Sequence, residues 1–405
     1  MNSDERDFDV VLFGATGFTG QLVAEYLVRR RSGARLALGG RSRAKLEQVR
    51  SDLAAVDPAA RDLPLITGDS LDPAAMADLA RRARVVCTTV GPYYRHGGPL
   101  AAACAEHGTS YCDLTGETPF MRRSIDDNHA RAAATGARIV HACGFDSIPS
   151  DLGVLILHDH VTSRGDRLLE AHLRVVRMKG GMSGGTAAST LTLFENLGDP
   201  VVRRSLADPY ALDPDGGSGG LDGRDTLLPS RDPGTGHFAG PFVMAGVNTR
   251  VVRRSNALSG HAYGKDFRYD EAIDTGSGLG GLTRALGISA ATLMGGALAA
   301  LPPTRAILGR FLPSPGEGPS REQRERGSFR VEIRGLTARG DHPVSVVAGD
   351  LDPGYGQTAV MLGESALCLA QDDLSSKGGV TTPAVAMGMK LVERLRAAGM
   401  TLRVP

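Results

Sequence analysis

Several signatures that would commit this chain to other chemistry are missing from its sequence. The five cysteines, Cys87, Cys104, Cys112, Cys143 and Cys368, form no CxxC pair, and no His/Cys cluster with metal-ligand spacing accompanies them. They read as small buried hydrophobes of a reduced compartment, and no metal is expected. Neither charge sign is in excess, with 46 Lys and Arg against 45 Asp and Glu, which leaves no basic footprint for nucleic acid. Ser183 and Ser189 lack a G-x-S-x-G elbow, so a hydrolase reading fails. Cys143 has no histidine–carboxylate partner pattern that would make it a nucleophile. Residues 1–7 are polar and run straight into apolar sequence, with no signal-peptide pattern, so a cytoplasmic location is expected.

What is present begins at residue 10. Val10, Val11, Leu12 and Phe13 form a short buried-strand run, and Gly14, Gly17 and Gly20 follow at spacings of three before a helical pattern opens at Gln21. A strand feeding a helix through such a turn leaves backbone N–H groups facing outward, ready for a pyrophosphate and aided by the helix dipole. Gly14 permits the turn, Gly17 lets phosphate approach, and Gly20 lets helix and strand pack closely. The turn Gly14, Ala15, Thr16, Gly17, Phe18, Thr19, Gly20 thus points to a dinucleotide site.

The second predicted strand, 34–39, ends not in the carboxylate that holds a ribose 2′-hydroxyl but in Gly40, Arg41, Ser42 and Arg43. An arginine fork there suits a 2′-phosphate, which points to NADPH. A third strand ends at Asp69 and Ser70, from which side chains can reach the adenine. A fourth ends at Val90, Gly91 and Pro92, beside the expected nicotinamide. Strands at 110–117 and 137–141 complete six that alternate with helices, a doubly wound parallel sheet. Past about residue 155 the rhythm changes. Strands at 168–176, 267–269 and 329–333 suggest a second, partly antiparallel sheet, and 208–241 reads as a long loop or lid. Residues 285–304 carry no charge between Arg284 and Arg305. They read as a buried or dimer-interface helix, as an apolar wall or interfacial anchor contacting lipid, or as a bilayer span. Residues 313–327 read as a polar loop, 350–371 as loop then helix, and 383–398 as one last amphipathic helix.

The GATGFTG turn, the segment 40–46, Val90 to Tyr93, Asp113 to Glu117 and Cys143 to Gly153 together resemble the saccharopine dehydrogenase-like oxidoreductases. The actinobacterial trans-acting enoyl reductases are the most similar branch. The likeness continues through 243–255, 352–356 and 378–384. It implies an α/β chain with an N-terminal NADP-binding Rossmann domain (1–153), a central α+β substrate or oligomerisation domain (154–350) and C-terminal helices returning to the first domain (351–405). In that branch the family reduces a carbon–carbon double bond in a polyketide-derived lipid, in trans with a synthase that lacks its own reductase. The substrate would be free or carrier-bound. Other members reduce an imine to make saccharopine, and some animal members sit on lipid droplets without a settled reaction. A homo-oligomer is expected, as is contact of 285–304 with the inner face of the plasma membrane.

Enoyl reduction needs a hydride at the β-carbon, donors for the developing negative charge and a proton for the α-carbon. Tyr93, Tyr94, Arg95 and His96 supply donors on one loop, and Tyr93 is the first candidate, with ring packing as the bland alternative. Glu117 and Asp113 can orient the nicotinamide ribose or carboxamide, or cap the next helix. Asp146 can meet substrate or hold its loop. Arg253, Arg254 and Lys265 keep open a carboxylate-bearing substrate of the imine-reducing type, and a non-catalytic NADP-binding scaffold at a lipid surface is the third reading.

Overall fold

The computed structural model describes residues 6–181, 184–214, 220–310 and 317–405, without the side chains of 184–187 and 308–309; Ser183 and part of the 313–327 segment therefore lie outside the described residues. The predicted alternation is present: β1 (Phe8–Phe13), α1 (Phe18–Arg30), β2 (Leu36–Gly40), α2 (Arg43–Val56), β3 (Leu65–Thr67), α3 (Pro73–Arg82), β4 (Ala83–Thr88), α4 (Tyr93–His96), α5 (Gly98–His107), β5 (Ser110–Asp113), α6 (Thr118–Thr135), β6 (Arg138–Val140) and α7 (Ile148–Thr162). All these strands pair in parallel. Val10 to Phe13 of β1 are buried on both faces, as a central parallel strand requires. Strand order reverses between β1 and β4, which opens a crevice beyond their carboxyl ends.

The second part comprises β7 (Leu168–Lys179), α8 (Gly184–Glu195), α9 (Pro200–Ala207), β8 (Ser230–Arg231), β9 (Phe238–Pro241), α10 (Ala245–Leu258), β10 (Arg268–Gly276), α11 (Gly278–Ala300), α12 (Pro302–Gly309), α13 (Arg321–Glu325), β11 (Ser328–Thr337) and β12 (Val344–Gly349). Here β7 pairs parallel with β10 but antiparallel with β11. Alternate residues of β11, among them Phe329, Val331 and Ile333, are buried. The helix α7 lies against β11 and β12, close enough that a Cβ on Gly153 would fall 2.2 Å from Ile333.

The chain then returns through α14 (Thr358–Gln371), β13 (Gly379–Thr381), α15 (Pro383–Ala386), α16 (Gly388–Ala397) and β14 (Thr401–Arg403). As expected, a C-terminal helix packs back on the first sheet: α14 touches α1, β1, β4 and β5. Its buried Glu364 holds Arg30 at 2.6 Å and the Tyr26 hydroxyl at 2.5 Å. One apolar cluster runs continuously from Val10 and Leu12 through α7 and α14 to Phe329 and Val347, joining both sheets.

Four expectations change. β13 adds a seventh strand beside β6, where three residues were too few to show a period. The single helix over 383–398 is two, broken at Gly388 with φ 52°. The polar loop at 313–327 contains the capped turn α13, with a Ser320/Gln323 capping box. The 285–304 segment is not a buried core helix: α11 starts at Gly278, takes in Arg284 and ends before Pro302, and only Gly281, Ala285, Ser289 and Ala299 of it are buried.

Candidate active site

The glycine turn is built as its spacing demands. Gly14 has φ 95°, and a Cβ there would meet Thr89 Oγ1 and Val90 at 2.8 Å. A Cβ on Gly20 would fall 2.1 Å from the Gly14 carbonyl, so only glycine lets α1 pack this close. Gly17, by contrast, has only the Gly14 carbonyl nearby, at 3.4 Å, leaving open space where phosphate would come. The first intrahelical bond runs from Gln21 N–H to Gly17 O, 2.9 Å. Helix geometry therefore leaves the N–H groups of Phe18, Thr19 and Gly20 for an anion, and Thr16 stands beside them at the end of β2. The Phe18 side chain turns away, edge-on to Tyr355 at 5.4 Å, so it can offer a cofactor only its backbone.

At the adenine side the basic residues divide by duty. Arg43 pairs with Glu47 at 2.9 Å, and the Ser42 hydroxyl caps α2 by accepting from Lys45 N–H. Arg41 is exposed and has no ion pair among the described residues. Asp69 closes a turn by accepting Leu71 N–H at 3.0 Å, while Ser70 is buried. His96 reaches this end too: burial first, then Arg41 and Arg95, push its imidazole below the ordinary value, with Asp69 opposing.

On the nicotinamide side, Gly91 and Pro92 are joined by a cis peptide and lead into α4. Tyr93 is not placed as a proton donor. Its ring packs on Phe120 with centroids 5.8 Å apart, and its buried hydroxyl donates to the Thr88 carbonyl at 3.1 Å. Burial, reinforced by Asp113, holds its pKa well above the usual phenol range. Glu117 is buried and works as a clamp: Oε1 accepts Tyr93 N–H at 3.0 Å and Oε2 accepts Tyr94 N–H at 2.7 Å. The Ser189 hydroxyl, from α8, also donates to it, and burial raises its pKa despite these donors. Glu117 is thus a positioning residue for the 91–97 loop. Asp113 is committed as well, accepting from the Tyr111 hydroxyl, Thr115 N–H, Ala142 N–H and His141 Nδ1 within 3.1 Å.

Asp146 differs from these two. Its carboxyl lies beside the backbones of Gly116 and Gly144, 3.3 and 3.2 Å from where their Cβ atoms would be, just past the ends of β5 and β6. It has no side-chain partner among the described residues, and desolvation lifts its pKa to about 7. Its loop is held from behind by Thr358 Oγ1, which accepts Phe145 N–H at 3.0 Å, and by Ser147 Oγ donating to Asn248 at 3.1 Å.

Residues 10–140 match the saccharopine dehydrogenase NADP-binding domain family. A Mycobacterium tuberculosis protein provisionally named a trans-acting enoyl reductase is 47% identical over 418 residues, covering 100% of this chain and 99% of that one. The Mycobacterium ulcerans trans-acting enoyl reductase is 43% identical over 421 residues, covering 99% of both. The chain belongs to the trans-acting enoyl reductase family. Its fold is shared with saccharopine dehydrogenase (L-Glu forming) of Saccharomyces cerevisiae, at TM-score 0.52 and 12% identity over 98% of this chain and 99% of that one.

Within this family member the first sheet belongs to an NADP-binding domain, and the open Gly17 face and Arg41, without an ion pair among the described residues, fit that cofactor. The arginines that kept a carboxylate substrate open do not face one. Arg253 pairs with Asp222 at 2.8 Å and donates to Pro209 and Tyr269 carbonyls; Arg254 donates to those of Leu212 and Val380. Between them they tie Pro209, Leu212 and Asp222 to α10, and Lys265 is exposed in the turn before β10. Ser189 and Thr358 were not foreseen in the site, because each reaches it from an element more than 70 residues distant in sequence.

Proposed function

We propose that this reductase saturates a conjugated carbon–carbon double bond in a lipid or polyketide-type substrate, free or carrier-bound, with a synthase acting in trans. NADPH, when bound, supplies the hydride. Phe18, Thr19 and Gly20 would hold its pyrophosphate through their N–H groups, and Arg41 would take the 2′-phosphate. Val90, Gly91 and Pro92 would border the nicotinamide, leading into the turn whose Tyr93 and Tyr94 N–H groups Glu117 holds. Asp146 carries the remaining step. Hydride arrival at the β-carbon leaves an enolate, and the Asp146 carboxylic acid gives its proton to the α-carbon and becomes a carboxylate. A carboxyl with pKa about 7 is partly protonated at neutral pH, the poise that general acid catalysis requires.

The observation that carries this reading is the position of Asp146, at the ligand edge beside Gly116 and Gly144, with no side-chain partner among the described residues and only its own backbone N–H donating to it. The commitment of Arg253 and Arg254 elsewhere weighs against a dicarboxylate substrate of the imine-reducing kind. The test is NADPH consumption with an enoyl thioester by wild type and Asp146→Asn. Turnover falls by about 10²–10⁴-fold with NADPH affinity retained; an Asp146→Asn enzyme that keeps wild-type turnover removes Asp146 from the chemistry.

A further inference from the structure

The outer face of α11 and α12 is an apolar surface left largely uncovered among the described residues. One ridge of α11 is seated on the second sheet: Ile288 lies within 3.3 Å of where a Gly240 Cβ would be, and Gly281 starts the helix tight against the Gly276 carbonyl. Away from that ridge Leu286 is 51% and Met294 63% exposed, and Leu293, Leu301 and Ile307 are exposed beside them. Such a patch on a soluble surface marks an interaction site. With one face anchored along β9 and β10, α11 lies on the molecule rather than projecting from it, although its length and hydropathy alone would allow a span.

Its charge identifies the occupant. From 275 to 316 the sequence has three arginines, Arg284, Arg305 and Arg310, and no carboxylate. None of the three forms an ion pair among the described residues. A helix with an apolar face and cationic flanks suits the boundary of an anionic bilayer, where side chains enter the acyl region and guanidinium groups meet phosphate. A two-fold contact with a second copy would instead set this acid-free patch against itself.

We infer that α11 and α12 form a docking face for an anionic phospholipid membrane. The face adjoins the candidate active site, since α8 touches both helices and also supplies Ser189 to Glu117. A docked molecule therefore holds the 91–97 loop one helix away from the lipid surface.

Flotation of the full chain with phosphatidylglycerol–phosphatidylcholine vesicles, against pure phosphatidylcholine, tests this. The protein floats with the anionic vesicles, and most of it is released by raised salt. Leu286→Ser with Met294→Ser lowers the bound fraction several-fold, and Arg284→Gln with Arg310→Gln abolishes the preference for anionic lipid. Both double variants keep wild-type NADPH affinity by calorimetry, which shows that they fold. No flotation with either vesicle, or flotation indifferent to the leucine–methionine pair, overturns the proposal. So does a dimer in sedimentation velocity that the same pair dissociates, which would assign the face to a second copy. Vesicle binding is read without substrate, so it holds or fails independently of the reductase activity.

Discussion

Replacing Arg41 by alanine isolates cofactor choice from everything else the site does. Its neighbours cannot substitute for it, because Arg43 is paired with Glu47 and reaches the Leu65 carbonyl, while Ser42 is spent on capping α2. Arg41 itself is exposed and has no ion pair among the described residues, so its removal leaves no stranded partner in the protein. A charge-assisted hydrogen bond is worth about 1.5–3 kcal/mol, and water competes at this exposed position, so the lower half, ~1.5–2 kcal/mol, is expected. That corresponds to about a tenfold to thirtyfold rise in the NADPH dissociation constant. NADH, which has no 2′-phosphate, should bind the variant as it binds wild type. Calorimetric titration with both nucleotides reads the ratio directly. An unchanged NADPH/NADH ratio, or equal weakening of both, would refute the assignment of Arg41.

Three further outcomes follow from the site and its supports. With Asp146 titrating near pH 7, kcat falls as pH rises through about 7, because the acid form is lost; a flat profile from pH 6 to 8 would remove it as the acid. Glu117→Gln leaves one oxygen for the two N–H groups of Tyr93 and Tyr94 and sets an amide donor against the other. It should lower the melting temperature and raise KM for NADPH more than it lowers kcat, whereas equal kcat and KM values to wild type would show that the clamp does not shape the loop. Asp151, buried against Ser255 and Ala384 N–H, has its pKa raised by burial to about 7. Its folded value exceeds the unfolded one, so its contribution is fully present below about pH 4 and is lost as pH rises through 7. Asp151→Asn should therefore flatten the fall in melting temperature between pH 5 and 8, and an unaltered slope would contradict the burial argument.

The first sheet was legible because each of its features is local. The Gly14–Gly17–Gly20 turn, the run at 10–13 and the arginine after β2 are set by neighbours in sequence, and all lie where the alternation puts them. What was not legible depends on distant contacts. Tyr93 suited proton donation and ring packing alike in sequence, and only the fold shows that Thr88 receives its hydroxyl and Phe120 its ring. Glu117 looked equally suited to capping the next helix and to orienting the nicotinamide until the two N–H groups of the 93–94 turn and the α8 serine came together on it. The uncharged stretch at 285–304 left three readings open because composition does not say which face a helix buries, and the second sheet covers only one ridge of α11.

Asp146 and the NADP-binding crevice are proposed to serve reduction of a conjugated carbon–carbon double bond. The most direct measurement is NADPH oxidation by the purified protein over matched enoyl thioesters, enones and imines, with product mass read in the same reaction. Consumption is expected with the enoyl or enone set, each product gaining two hydrogens across the former double bond. Turnover confined to imines formed from an amine and an oxo acid, with conjugated alkenes untouched, would contradict it.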